Sequence, residues 1–205
     1  MTDIRPFRPG DEPALTEICV RTADAGGDAT GMFRDDQLWA DIFALPYAVR
    51  HPDLAFVVET DDGRVVGYIV AAPDTDDFER WFAQSWWPSV RDRYPPDGAG
   101  ERERGIIAYA ENRAPGRARH AAEFPAHLHI DLLPELQGQG FGRRLIDRLL
   151  AALAARGVAG VHLVASEENT GAVLFYPRVG FTALPSEPGS RAFGRLLSPG
   201  GRIPA

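Results

Sequence analysis

Apolar and polar positions alternate over residues 3–8, which predicts a short first strand. After the turn Pro9-Gly10-Asp11, the residues Leu15, Ile18 and Cys19 recur at helical spacing, so a helix is expected over 12–22 with Asp11 as its cap. The small and acidic run from Asp24 to Asp28 breaks the pattern. A second helix is expected over about 35–43, with Leu38, Ile42 and Phe43 inward, and Pro46-Tyr47 is read as its end. Residues 54–60 and 65–72 form two β-rich runs around the turn Asp61-Asp62-Gly63-Arg64. Both runs are apolar on both faces, as a covered central sheet requires.

Residues 73–126 interrupt this regularity and read as an insert in one domain spanning 1–205. Residues 77–94 predict one helix carrying Phe78, Trp81, Phe82, Trp86 and Trp87, with Pro88 placed to kink it. The aromatic cluster has two readings: packing on the sheet, or a wall for a substrate or partner. A loop follows, and residues 106–109 read as a short strand. Regular patterning returns with a strand over 127–133, a strongly amphipathic helix over 143–156, a strand over 161–165, a helix from Asn169 to Tyr176 ending at Gly180-Phe181, and a last strand over 191–197. The order predicts an α/β layered fold, with antiparallel strands first and a βαβ unit later.

Composition narrows the function classes. The net charge of −7 argues against a general nucleic-acid binder, which is usually basic. All 22 basic residues are arginine, so the chain offers no lysine of its own for acylation. Cys19 is the single cysteine and sits in an apolar stretch, which reads as a buried thiol and excludes an intramolecular disulfide. The amino-terminal residues do not read as a signal peptide and no run approaches the ~20 apolar residues of a membrane span, so a cytoplasmic protein is expected.

The densest chemical signal is the run Gln137-Gly138-Gln139-Gly140-Phe141-Gly142, between a strand and a helix. Glycine lets a ligand approach the backbone, and the free N–H groups and dipole of a helix start favour an anion such as a pyrophosphate. The spacing matches neither the dinucleotide fingerprint nor a P-loop. Taken alone, it also suits a plain strand-to-helix turn or a site for ATP or NAD. On the strand before it, His127, His129 and Asp131 alternate and therefore share a face. They could be structural polar groups, a metal site, or a general base, with His129 first and Asp131 second.

The run 137–142 and the later Asn169-Thr170-Gly171-Ala172-Val173-Leu174-Phe175-Tyr176-Pro177-Arg178-Val179-Gly180-Phe181 together resemble the GNAT superfamily of acyl-CoA-dependent N-acyltransferases. The segments DAGGDAT, LPY, AAPDTDDFERWF, WWPSVRDRYP and FPAHLHIDLLPELQGQGFG resemble a bacterial subgroup related to the acetyltransferase-like domain of animal O-GlcNAc hydrolases. The resemblance implies a mixed, mostly antiparallel sheet of six to seven strands, splayed at a cleft for acetyl-CoA. It implies that a backbone N–H at Leu132 or Leu133 polarises the thioester, that Gln137, Gly138, Gln139, Gly140, Phe141 and Gly142 hold the pyrophosphate with Arg143 and Arg144, and that Asn169 and Phe175 touch the cofactor arm. Tyr176 occupies the position of the acid that protonates the leaving thiolate; Pro177 departs from the family pattern and is expected to kink the helix there. Asp24, Asp28, Tyr47 and His127 fall where this fold places the acceptor. Asp74, Asp76 and Asp77 read as helix caps.

The expectation is an acetyl-CoA-dependent N-acetyltransferase acting directly on a small-molecule or peptide amine, as a monomer or homodimer, with no metal, nucleic acid or membrane. The rival is a weak or inactive acetyl-CoA-binding module that works through a partner or as a sensor.

Overall fold

The computed structural model describes residues 2–197. Seven strands form one sheet: β1 (Asp3–Pro6), β2 (Ala55–Glu59), β3 (Val65–Ala72), β4 (Ala126–Leu132), β5 (Gly160–Ser166), β6 (Thr182–Leu184) and β7 (Ser190–Leu196). Their order is β1-β2-β3-β4-β5-β7-β6, and every neighbouring pair is antiparallel except β4 and β5. Every residue of β3 is buried, consistent with its apolar run on both faces.

Helices α1 (Glu12–Val20), α2 (Gln37–Phe43) and α3 (Leu45–Arg50) gather on the sheet near β3, and α7 (Phe141–Ala155) packs on β2 and β3. The stripe Leu145, Ile146, Leu149, Leu150 and Leu153 of α7 is buried, which accounts for its clear legibility. Among the described residues no helix is long and apolar enough to cross a membrane.

The structure corrects several local expectations. Asp11 makes no cap with its side chain; its carboxylate instead pairs with Arg5 at 2.7 Å and accepts from the Arg8 amide. Pro46-Tyr47 does not end a region but lies in the first turn of α3, where a proline's missing N–H costs nothing. Residues 106–109 are not a strand: they belong to helix α6 (Glu101–Glu111), which buries Glu103, Ile107 and Ala110. The single helix expected over 77–94 is divided into α4 (Thr75–Trp81), a π-helical turn (Phe82–Trp86) and α5 (Trp87–Val90). The wide turn precedes Pro88, whose ring cannot accommodate an ordinary helical carbonyl four residues earlier. The short β6 was not anticipated. Helix α8 (Thr170–Arg178) runs through Pro177 and ends one residue later, so the proline falls in the final turn.

The aromatic cluster is packing. Phe78, Phe82, Trp87 and Tyr94 are buried, and Trp86 Nε1 donates to the Asp41 carbonyl at 2.7 Å. The carboxylate of Asp41 is itself buried and accepts from Tyr94 at 2.6 Å and from Arg93 at 3.1 Å. These bonds fasten residues 82–94 to α2.

Candidate functional site

The site begins where β4 leaves β5. Only Ala126–Val161 and His127–His162 pair across these parallel strands, so the β5-facing edge of β4 is unpaired beyond them. On its other edge, Leu133 N–H donates to Val66 O at 3.1 Å. Antiparallel bonding alternates, so the amides of Ile130 and Leu132 turn toward the open side. The opening is a cavity of about 550 Å³.

One wall is the glycine-rich turn. Gly140 precedes α7 with φ +84°, a conformation that a side chain would strain. The amides of Gly138, Gly140, Phe141, Gly142 and Arg143 find no acceptor among the described residues, as expected of a helix start. Gly142 admits the ring of Phe175: a Cβ there would stand 3.1 Å from Phe175 Cζ. The facing wall is α8. Asn169 caps it by accepting from the Ala172 amide at 3.0 Å, and Phe175 and Tyr176 line the cavity. Burial and the nearby Asp131 both push the Tyr176 hydroxyl toward its neutral form.

Asp131 lies between the walls. Its cross-strand partner is Tyr68, whose buried hydroxyl donates to Asp131 Oδ2 at 2.5 Å. Burial raises the Asp131 pKa above the usual carboxylate range, and the Tyr68 hydrogen bond opposes part of that rise. Among the described residues no group of His, Cys, Asp and Glu is arranged to hold a metal ion.

The cavity therefore brings together Asp131, Leu132, Gln137, Gly138, Gly140, Gly142, Arg143, Asn169, Phe175 and Tyr176 from the expected residues, and adds Thr22, Gly26, Ile130 and Arg178. Other expected residues stand elsewhere. Leu133 is fully buried with its amide spent on β3, and Phe141 buries its side chain while its amide stays free in the turn. The Gln139 side chain turns back to Glu135 O, while Arg144 pairs with Asp3 at 2.8 Å and lies over Phe141. Asp24 pairs with Arg102 of α6 at 2.8 Å, and Asp28 accepts from the Thr30 amide in its own turn.

Tyr47 and His127, both buried, and His129, part-buried two residues from Asp131 on the same strand face, form a second network. The Tyr47 hydroxyl is 2.8 Å from His127 Nε2 and 3.2 Å from His129 Nε2, and it accepts from Arg113 Nη2 at 3.2 Å. Burial and the Arg113 charge push His129 down to about 3 and His127 well below its usual value. A histidine so depressed stays neutral and is a weak base. The sequence reading did not single out Arg113, Glu79 or Tyr68. Their spacing carries no local signal, because each meets its partner only across the fold.

Comparison with known proteins is consistent with this geometry. The sequence profile of the acetyltransferase (GNAT) family matches residues 22–181. A mycothiol acetyltransferase of Beutenbergia cavernae is 49% identical over 177 residues, covering 84% of this chain and 50% of that protein. The protein O-GlcNAcase of Rattus norvegicus is 25% identical over 181 residues, covering 86% of this chain and 20% of that protein. The chain thus spans half or less of the length of these relatives. The crystal structure of SsHAT is 39% identical, with a TM-score of 0.87 over 96% of this chain and 98% of that one.

Proposed function

We propose that this chain, which belongs to the acetyltransferase (GNAT) family, transfers an acetyl group from acetyl-CoA directly to an amine bound in the same cleft. The observation that carries this reading is one cavity lined by a glycine turn with unpartnered amides, by Asp131 and by Tyr176. Acetyl-CoA supplies the acetyl group as an activated thioester. The free amides of Gly138, Gly140, Phe141, Gly142 and Arg143 and the Arg143 guanidinium suit a pyrophosphate. The open edge of β4 offers backbone groups to an extended arm, and the Leu132 amide is the donor placed for a developing oxyanion. Leu133 drops out of that role because its amide is bonded to Val66.

An amine with pKa near ~10 is mostly ammonium at neutral pH and must lose a proton before it attacks. Asp131 takes that role, because its raised pKa makes it a stronger base than an ordinary aspartate. Tyr176, kept neutral by burial, carries the proton for the leaving sulfur. The acceptor is a small-molecule or peptide amine.

Calorimetry is expected to show binding of acetyl-CoA in preference to ATP and NAD; the reverse order would sink the reading. Single-turnover thioester loss is expected to depend on an added amine, tested with small amines, an aminoglycoside, and peptides offering an N-terminus or a lysine. Tyr176→Phe should lower turnover by about 10²-fold while acetyl-CoA affinity changes less than about threefold. Unchanged turnover would reject the acid role. Gly140→Val, a β-branched residue forced to φ +84°, should weaken acetyl-CoA binding by about tenfold, measured by the same calorimetry.

A further inference from the structure

The hydrogen-bond directions around Tyr47 can be settled from one end. The Thr75 hydroxyl lies 2.8 Å from the Pro125 carbonyl, which can only accept, so its proton points there. Thr75 Oγ1 must then accept from His127 Nδ1, 2.9 Å away. Neutral His127 carries its proton on Nδ1, and its Nε2 accepts from the Tyr47 hydroxyl at 2.8 Å. With that proton spent, the Tyr47 oxygen can only accept from its other partners. One is Arg113 Nη2; the other is His129 Nε2 at 3.2 Å. His129 therefore carries its proton on Nε2, and its Nδ1 keeps a free lone pair.

That nitrogen has no partner among the described residues. It is also absent from their sealed, unpaired side-chain atoms, which are Trp39 Nε1, His51 Nε2 and Trp87 Nε1. It is therefore not sealed from solvent, as the part-buried state of His129 allows. His129 shares its strand face with Asp131, two residues away. Beside it lies Phe43, with ring centroids 5.6 Å apart, and half-exposed Tyr109 stacks on Phe43.

We propose that Thr75, His127 and Tyr47 are positioning residues that lock His129 in the Nε2–H tautomer, so that Nδ1 is a fixed hydrogen-bond acceptor for the N–H of the incoming amine. The proposal rests on the acetyl-transfer reading for the identity of the amine, but the tautomer stands on geometry alone. Its depressed pKa keeps His129 neutral beside Arg113, so it orients the amine and leaves proton removal to Asp131.

The test is ¹⁵N NMR of the full chain with labelled histidine. The expected spectrum shows a protonated Nε2 and bare Nδ1 for His129, and the reverse for His127. A proton on His129 Nδ1 or on His127 Nε2 overturns the proposal without any variant. Tyr47→Phe should let His129 populate both tautomers; a single retained Nε2–H tautomer would overturn the relay. Benzylamine, a primary amine whose ring can lie against Phe43 and Tyr109, is the kinetic probe. Asparagine can place an oxygen near the Nδ1 position, whereas glutamine mimics Nε2. His129→Asn should therefore keep the benzylamine KM within threefold, and His129→Gln should raise it about tenfold with little change in kcat. An unchanged KM in His129→Gln overturns the acceptor role. The expected tautomers with no amine turnover in the wild type would support the relay and sink the acetyl-transfer reading instead.

Discussion

Asp131→Asn is expected to lower turnover of a primary amine by about 10²-fold or more at neutral pH, the usual scale of a positioned general base. Asparagine keeps the size and still accepts from the Tyr68 hydroxyl, so the loss isolates the proton-accepting function. The pH dependence has a definite sign. Burial raises the folded-state pKa of Asp131 above its unfolded value. The base is active when deprotonated, so the wild-type rate should rise with pH through that raised pKa, and the variant should lose this limb. Stability runs the other way. A carboxyl with a raised folded pKa favours folding below its unfolded pKa, and that contribution is lost as pH rises through the folded value. At neutral pH Asp131 is therefore a cost to the fold, and the asparagine variant should melt no lower than the wild type. Steady-state kinetics from pH 5 to 9 with parallel melting curves check both; turnover within threefold of wild type would reject the base.

The second large effect is on stability. Glu79→Ala is expected to destabilise the protein by about 3–5 kcal/mol, the cost of leaving a buried charge without its partner. Arg113 is only 4% exposed in its side chain, and it grips Glu79 with Nε at 2.8 Å and Nη2 at 2.7 Å. The same guanidinium donates to Ile42 O and Tyr47 Oη and lies 3.9 Å from the centre of the Phe82 ring. It thus ties α2, α3 and α4 to the chain after α6, and among the described residues Glu79 is the carboxylate that pairs with it. For a chain of this size the melting temperature should fall on the order of 10 °C. Replacing both partners, with Glu79→Leu and Arg113→Met, removes the orphaned charge and should recover most of that loss. Thermal or urea unfolding measures the difference, and a loss below about 1 kcal/mol in Glu79→Ala would show that the pair contributes little.

The legible parts of the chain share a property: their signal is contained in a few consecutive residues. Helix α7 announces itself through five leucine and isoleucine positions on one stripe, and its glycine turn needs no partner to be recognised. The segment from Asn169 to Phe181 carries its own cap, ring and hydroxyl in order. Where the local pattern misleads, the deciding partner is distant. Ile106 to Tyr109 looks like a strand because four apolar and aromatic residues lack visible helical phasing. The helix becomes intelligible only once Glu103 is buried by its ion pair with Arg34, 69 positions away. Strand β6 has three residues, too few for a period to show, and exists because β7 lies beside it.

The same division runs through the site. Sequence alone determined the glycine turn and α8, because amides at a helix start and a capped, aromatic-bearing helix are products of local backbone geometry. Only the tertiary structure decided the surroundings of the polar residues on β4. The alternation of His127, His129 and Asp131 placed all three on one face but could not assign their chemistry. The register of β3 on β4 gave Asp131 the Tyr68 hydroxyl, while the folding of α3 onto the strand gave both histidines Tyr47, across 80 and 82 positions. Protonation depends on burial and on the charges within a few ångströms, and in this chain those charges come from segments that meet only when the core closes.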